Sequence, residues 1–274
     1  MIRYDSHVHT CFSTDSKEEA INYIKEAQNK GFLGITFTDH NDYDFPLDNG
    51  KVQFALDFDS YIDYMTKLRF DYNGIFDIRI GVEQGLMKSV ASRVNEYDKH
   101  KKLDFIIGSS HLVNGNDPYY ESFWEGKDVK ECINAYYEAS IDNVKYCDNF
   151  DVYGHLDYLI RYAPTKDRDY NWKDYYDYIY EILKSLIYKG KGIEINTSGL
   201  KSGLKNPNPE LDIVKLYKSL GGEIITVGSD AHFKEYFGYR FDIIENYLKE
   251  AGFNYYSIFK NRKPEFIKIW LENK

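Results

Sequence analysis

The sequence predicts an α/β protein whose parallel strands close, or nearly close, into a barrel. Short apolar runs alternate with amphipathic helical segments along the 274 residues, and such alternation is typical of parallel strands joined by helical crossovers. Polar and titratable residues follow each run at its carboxyl end, the edge where a parallel barrel gathers functional groups. An open doubly wound sheet is the alternative arrangement of the same elements.

The first half of the chain supplies four strand and helix units. After the first strand, Ser16 and Glu19 form a capping-box pattern that predicts the start of a helix, and Gly31 ends it. The predicted strands are the apolar runs at 2–4, 33–38, 78–82 and 105–108. The predicted helices are the periodic segments at 16–30, 61–70, 90–101 and 129–146.

The second half repeats the pattern three times and adds an extended segment near 255–259. Its predicted strands are 152–154, 192–197 and 224–227, and its predicted helices are 172–188, 211–220 and 243–251. We find no glycine-rich dinucleotide loop, P-loop, nucleophile elbow or low-complexity linker. The chain is therefore predicted to be a single domain over 1–274.

Composition excludes several classes of function. The chain has 35 basic and 44 acidic residues and a net charge of −9, which disfavours a general nucleic-acid binder. No apolar run has membrane-spanning length and no signal-peptide pattern is present, so we expect a cytoplasmic protein without a membrane partner. Cys11, Cys132 and Cys147 are widely spaced and odd in number, which argues against a disulfide framework or a thiolate zinc site.

Histidines concentrate at the predicted strand ends. His7 and His9 alternate in an extended segment and therefore share a face, whereas His100 lies on a helix and is predicted to be a surface residue. The strand-end histidines are His7, His9, His40, His111, His155 and His232, and the acids near them are Asp15, Asp39, Glu83 and Asp230. Imidazoles and carboxylates suit zinc, manganese or iron, and this set is too rich for one tetrahedral ion. For Asp39 we expect a role in orienting a ligand rather than in binding the metal itself.

The successive motifs resemble those of the polymerase and histidinol phosphatase (PHP) family. The matching segments are His7-Val8-His9-Thr10, Thr38-Asp39-His40, Glu83, Ser109-Ser110-His111 and Ser229-Asp230-Ala231-His232. Two further segments resemble more narrowly the stand-alone histidinol-phosphatase branch of the family. They are Gly154-His155-Leu156-Asp157 with Arg161, and the run from Glu194 to Leu200.

The resemblance implies a distorted (β/α)7 barrel, similar to a TIM barrel, that holds three divalent metal ions (zinc, manganese or iron). The first ion would be held by His7, His9, Glu83 and Asp230. Glu83 would bridge to a second ion held with His111 and His155. The third would be held by His40, His232 and Asp15. Some relatives have a histidine at the position of Asp15, and an extra carboxylate there favours manganese or iron.

The resemblance also implies hydrolysis of a small phosphate monoester, L-histidinol phosphate, in histidine biosynthesis. Hydroxide activated by the metal cluster would attack phosphorus in line, and either His232 or Asp157 would protonate the leaving alcohol. Arg161 is expected to clamp the phosphate with parallel N–H bonds. The other predicted substrate contacts are Ser198, Lys201 and Arg240. The aromatic rings predicted at the mouth are Phe12, Tyr43 and Tyr158.

Three other functions remain open from sequence. A phosphoesterase or exonuclease acting on nucleotides would need a basic channel outside the cavity, which the acidic balance disfavours. Hydrolysis of a carbon–nitrogen bond would usually recruit a carbamylated lysine, and no strand-end lysine is evident. A non-catalytic, metal-stabilised scaffold would be expected to lose ligand residues, yet every motif retains them. The sequence does not predict an oligomeric state.

Overall fold

A parallel sheet curled into a barrel forms the centre of the protein, which the computed structural model describes over residues 1–269. The strand order is β1-β2-β4-β5-β6-β7-β8, and the short β3 pairs with β4. These strands are β1 (Tyr4–Val8), β2 (Gly34–Phe37), β3 (His40–Asn41), β4 (Asp77–Gly85), β5 (Phe105–Ser109), β6 (Val152–Tyr153), β7 (Gly192–Asn196) and β8 (Ile225–Gly228). All of their pairings are parallel. The predicted (β/α)7 barrel is confirmed.

Helices surround the barrel, as expected for parallel strands that are buried on both faces. They are α1 (Ala20–Asn29), α2 (Phe58–Asp71), α3 (Ala91–Glu96), α4 (Glu121–Trp124), α5 (Val129–Tyr146), α6 (Tyr176–Tyr188), α7 (Ser198–Lys201), α8 (Leu211–Ser219) and α9 (Phe241–Glu250). Asp128 caps α5 by accepting from the backbone N–H groups of Lys130 and Glu131. Helix α6 buries the stripe Ile179, Ile182, Leu183 and Leu186. None of the helices in residues 1–269 combines the length and apolarity needed to cross a membrane.

The barrel closes between β1 and the segment after β8 through single bonds rather than a regular ladder. The N–H of His9 donates to the carbonyl of Ala231 (2.9 Å), and the N–H of Asp230 donates to the carbonyl of His7 (2.8 Å). The buried carboxylate of Asp5 accepts from Ser229 N–H (2.9 Å) and from Ser229 Oγ (2.5 Å). This seam places the histidines at the end of β1 directly beside the residues that follow β8.

An antiparallel hairpin, β9 (Tyr255–Lys260) and β10 (Lys263–Lys268), covers the amino end of the barrel. The ring of Phe259 stacks on that of Phe105 at 4.9 Å between centroids. Arg262 donates from Nε to Asp151, 2.6 Å away, and from its backbone N–H to the carbonyl of Asp104. Because the hairpin closes this end, the carboxyl end is left for the functional groups.

Several element boundaries differ from those predicted. The capping-box prediction is wrong: α1 begins at Ala20 without a side-chain cap, and Ser16 Oγ instead donates to the carbonyl of His232 (2.9 Å). The helix predicted at 90–101 is broken at Tyr97 into α3 and a 3-10 turn. The short elements β3, α4, α7 and β10 were not predicted. The side chain of His100 lies outside the described part of the chain.

Candidate active site

The nine predicted metal ligands meet at the carboxyl end of the barrel, around the buried carboxylate of Glu83. One of its oxygens, Oε1, lies 2.8 Å from His155 Nε2 and 3.1 Å from His111 Nε2. The other, Oε2, faces a separate group: His7 Nε2 at 3.1 Å, His40 Nδ1 at 3.2 Å and His9 Nε2 at 3.3 Å. A carboxylate whose two oxygens face different imidazoles is placed to bridge two cations.

Asp230 and Asp15 lie beside some of these histidines and beside His232. Asp230 Oδ1 is 3.3 Å from His9 Nε2 and 3.7 Å from His232 Nδ1. Asp15 Oδ2 is 2.9 Å from His232 Nε2 and 3.8 Å from His40 Nε2. Asp230 has a φ of 54°, a left-handed backbone conformation that is uncommon for a residue other than glycine. Such conformations occur at functional sites, where the surrounding structure maintains them.

The geometry of these donor atoms fits divalent metal ions. His7 Nε2 and His9 Nε2 are only 3.0 Å apart, and among the described residues the buried His155 Nδ1 has no hydrogen-bond partner. Three sets of ligand atoms lie within 4.8 Å of one another: His9, His40 and His232; His7, His9 and Asp230; and His40, Glu83 and His111. The sets overlap those implied by the resemblance in part: His9 and His40 each belong to two sets, and His155 and Asp15 belong to none. Imidazole nitrogens gathered this closely around carboxylates are typical of a metal centre.

The electrostatics of the cluster favour metal-binding carboxylates. Burial alone would raise the pKa of Glu83, but the surrounding histidines hold it well below its usual range, and Asp230 is affected in the same way. Burial lowers the pKa of His40 to about 4, which leaves a neutral imidazole. Burial also opposes the charge on His9, but its bonds to Asp230 and Glu83 raise its pKa to about 9. Since a ligating imidazole must be neutral, metal binding here is expected to release protons.

Two further buried acids, Glu194 and Asp42, orient imidazoles of the cluster. Neither had been assigned a role from the sequence. Glu194 Oε1 lies 2.6 Å from His7 Nδ1, and Asp42 Oδ2 lies 2.7 Å from His111 Nδ1. A Cβ atom at Gly228 would overlap both His7 and Glu194, so glycine allows this close approach. The signal for Glu194 was its place at the start of the segment 194–200, which resembles the histidinol-phosphatase branch, whereas Asp42 falls in a loop with no pattern.

The predicted orienting role of Asp39 is exerted through a serine. Ser13 Oγ donates to Asp39 Oδ1 (2.8 Å) and lies 3.2 Å from His9 Nδ1. Asp39 also accepts from the backbone N–H of Thr10 at 2.7 Å. The hydroxyl is thereby held against the imidazole of His9, and such partners fix the ring orientation of metal ligands.

A cavity of about 350 Å³ opens above the cluster, and three of the predicted substrate-binding residues line it. They are Arg161, Ser198 and Lys201. The prediction for Arg240 is wrong: this residue is exposed at the start of α9, where its Nε donates to Asp242 (3.2 Å), and it does not line the cavity. Gly238 and Arg240 both have positive φ, 63° and 55°, so the chain turns sharply just before α9.

The structure also corrects the prediction of Asp157 as a proton donor. Its buried carboxylate does not line the cavity, and it accepts from Asn208 Nδ2 (2.5 Å). A 3-10 turn over Tyr158–Arg161 follows immediately. Because of this turn, Tyr158 and Arg161 line the cavity and Asp157 does not.

A second lobe of about 310 Å³ adjoins this cavity and shares part of its lining, including His40, His111 and Tyr158. The residues that line only this lobe include Asp42, Phe45, Phe54, Asp117 and Tyr120, and no lysine or arginine lines it among the described residues. The predictions of Phe12 and Tyr43 at the mouth are wrong, because Phe12 packs on Tyr61 and Tyr64, and Tyr43 packs on Arg93.

One protein-family model matches most of the chain. Residues 5–198 match the model of the PHP domain. The chain belongs to the PHP family. The histidinol-phosphatase of Lactococcus lactis subsp. lactis is 31% identical to this PHP protein over 264 residues, 96% of each chain. The probable histidinol-phosphatase of Clostridium acetobutylicum is 35% identical over 253 residues, 90% of this chain and 92% of that protein.

A solved structure matches the PHP barrel closely. It is the crystal structure of histidinol phosphate phosphatase from Lactococcus lactis subsp. lactis, complexed with zinc, L-histidinol and phosphate. Its TM-score is 0.86 at 30% sequence identity, and the match covers 96% of this chain and 98% of that chain.

In this PHP protein, Glu194→Gln is expected to weaken metal binding by about 10- to 100-fold, because His7 Nδ1 would lose its anionic partner. Zinc or manganese affinity measured by competition with a chelator checks this. Glu181→Gln, at an exposed position of α6, is the matched control and should bind metal like the unmodified protein. Equal affinity in both variants would show that Glu194 does not support the ligand.

Proposed function

We propose that this protein is a histidinol-phosphatase that hydrolyses L-histidinol phosphate to L-histidinol and phosphate, a reaction of histidine biosynthesis. The observation that carries the proposal is the two-lobed cavity. One lobe has the histidine and carboxylate cluster with Arg161 and Lys201, and the other has aromatic rings and the carboxylates of Asp42 and Asp117. A phosphate ester attached to a cationic, aromatic group suits both lobes. The similarity to histidinol-phosphatases over nearly the whole chain supports the same substrate.

The proposed cofactor is a set of three divalent ions, zinc, manganese or iron. The proposed ligands are His7, His9, Glu83 and Asp230 for the first ion; Glu83, His111 and His155 for the second; and His40, His232 and Asp15 for the third. Divalent ions bind phosphoryl oxygens, neutralise charge developing on them and lower the pKa of water to about 7. Zinc in the similar Lactococcus structure supports zinc for at least part of this set.

The remaining roles belong to side chains that line the cavity. Lys201 and Ser198 are placed to contact phosphate oxygens, and Arg161 adds a fixed guanidinium beside Asp230. His232 has 19% of its side chain exposed and lies at the cavity wall. Of the two proton donors considered from sequence, only His232 lines the cavity. Because His232 is also a proposed ligand of the third ion and a ligating imidazole must be neutral, we assign it to metal binding rather than to protonation of the leaving alcohol.

Asp117 is proposed to bind the cationic part of the substrate. Its carboxylate lines the second lobe and accepts from the N–H of Tyr119 (2.8 Å), and burial raises its pKa to about 6. Asp117→Asn is expected to raise KM about tenfold with little change in kcat, the effect of losing about 1.4 kcal/mol of binding. Steady-state kinetics on L-histidinol phosphate measure this.

The pH dependence provides a check on Asp117. Because the carboxylate ionises above its raised pKa, kcat/KM of the unmodified protein should fall as pH drops below about 6. Asp117→Asn should lack this fall in kcat/KM. The titration of the substrate phosphate affects both proteins equally, so it cancels when the two pH profiles are compared. Asp167→Asn, outside both lobes, serves as the control. Superimposable profiles for all three proteins would remove Asp117 from substrate binding.

The experiment that tests the function is phosphate release by the apoprotein after refilling with Zn²⁺ or Mn²⁺. L-histidinol phosphate is compared with sugar and nucleotide monophosphates and with bis-(p-nitrophenyl) phosphate. We expect kcat/KM for L-histidinol phosphate to exceed the others by at least about 100-fold, a difference of about 2.7 kcal/mol. Equal turnover of all monoesters would contradict the substrate assignment, and preference for the diester would favour a nucleotide phosphoesterase.

A further inference from the structure

Asp230 is held by a network that begins outside the metal cluster. Its Oδ1 faces the histidines, while its Oδ2 accepts from Arg161 NH1 (2.9 Å) and from Asn196 Nδ2 (3.3 Å). Arg161 is 4% exposed and comes from the turn after β6 rather than from β8. Asp230 lies beyond the end of β8 and has a left-handed backbone conformation. Arg161 and Asn196 contact its carboxylate on the side away from the histidines.

Asn208 in turn fixes Arg161. The Oδ1 atom of Asn208 accepts from Arg161 Nε at 2.7 Å, and its Nδ2 donates to Asp157 Oδ1 at 2.5 Å. Asn208 is fully buried, and its backbone N–H and carbonyl both pair with Asn196. The amide can therefore satisfy both neighbours in one orientation only, with oxygen toward the cation and nitrogen toward the anion.

The surrounding chain is shaped to admit this amide. A Cβ atom at Gly199 would overlap Asn208 Oδ1, so the first turn of α7 leaves room for the side chain only because it carries glycine. The second oxygen of Asp157 accepts from the N–H of Glu210 at 3.2 Å. Both oxygens of the Asp157 carboxylate thus accept hydrogen bonds from the protein, and its charge acts on Asn208 rather than on the cavity.

We propose that Asn208 and Asp157 are positioning residues that act through Arg161 on Asp230. In this network the fixed amide of Asn208 sets the guanidinium plane, and the guanidinium sets the carboxylate that faces His7 and His9. The kinetic consequences rest on the proposed phosphatase activity. The effect on metal binding does not.

An exchange of the two side chains tests the network. Asn208→Asp removes the donor to Asp157 and sets two carboxylates side by side, so zinc affinity and kcat/KM should fall about 10- to 100-fold. The double variant Asp157→Asn with Asn208→Asp restores the bond with its direction reversed: the amide introduced at position 157 would donate to the carboxylate introduced at position 208, which still accepts from Arg161. We expect the double variant to recover both quantities to within about threefold of the unmodified protein.

The measurements are zinc affinity by chelator competition, kcat and KM at full metal loading, and the thermal midpoint. Gly199→Ala displaces the Asn208 amide without changing it, and should weaken zinc binding even if Asn208→Asp does not fold. A purely structural role would lower the thermal midpoint and leave zinc affinity, kcat and KM unchanged, and this result would overturn the proposal. Failure of the double variant to recover zinc affinity and kcat/KM would also overturn the proposal.

The two proposals fail separately. If the unmodified protein binds zinc but does not hydrolyse L-histidinol phosphate, the proposed function is wrong. The zinc affinities of the single and double variants would still decide whether Asn208 and Asp157 position Asp230.

Discussion

Replacing Glu83 with glutamine is expected to lower kcat/KM for L-histidinol phosphate by at least about 1,000-fold, or about 4 kcal/mol. Glu83 is 1% exposed, and its two oxygens face five imidazoles from four strand ends. An amide keeps the shape but loses the charge, and one of its two oxygen ligand positions becomes an NH2 group. Metal should be lost as well, because the bridging carboxylate is the shared ligand of two proposed ions.

Kinetics and metal content of the same preparation measure both effects. Glu181→Gln, on the exposed side of α6, should retain activity and metal and controls for the loss of one carboxylate. Since Glu83→Gln also removes a buried charge surrounded by histidines, circular dichroism should confirm that the barrel is intact. Full metal content together with normal turnover would exclude a bridging role for Glu83.

Replacing Arg161 with methionine is expected to be almost as damaging, with kcat/KM reduced about 100- to 1,000-fold, or about 3–4 kcal/mol. Three of its N–H groups donate to Asn208, Asp230 and Asn196 at 2.7–2.9 Å. Methionine has similar length but no donors, so it would leave Asp230 and Asn208 without their buried partner. Removing one partner of a buried ion pair is strongly destabilising, and we also expect a lower thermal midpoint.

The division of the Arg161 effect between kcat and KM is informative. A guanidinium that only binds phosphate would chiefly change KM, whereas one that also positions Asp230 should reduce kcat and zinc affinity. Arg168→Met is the matched control, since the side chain of Arg168 is 74% exposed. An increase in KM with unchanged kcat and zinc affinity would restrict Arg161 to phosphate binding.

Sequence patterns were most successful where a residue's role depends on its place at a strand end. The period of the apolar runs fixes which residues are at the carboxyl ends, and a parallel barrel brings those ends together whatever the helices do. For this reason His7, His40, Glu83, His111 and Asp230 could be assigned to one centre before any geometry was known. Strand lengths did not have to be accurate: β4 runs to Gly85, two residues beyond Glu83, without moving Glu83 from the cluster.

Residues in the turns that follow the strands were predicted less well, because their direction depends on contacts distant in sequence. Ser16 matched a helix cap but instead holds the carbonyl of His232. Asp157 matched a proton donor but accepts from Asn208, and Arg240 donates to Asp242 and does not line the cavity. Asn208 and Asp42 stand in no recognisable motif, so no local pattern could identify their partners.

The sequence by itself determined the parallel barrel, the end at which the chemistry lies and the residue types of a metal cluster. The tertiary structure decided which atoms face one another. It showed that each oxygen of Glu83 faces its own group of histidines and that Glu194 and Asp42 lie against His7 and His111. It also showed that Asp230 accepts from Arg161, which comes from the turn after β6. The reason is physical: hydrophobic periodicity is local and survives small errors in boundaries, whereas hydrogen bonds require positions accurate to a few tenths of an ångström across the closed barrel.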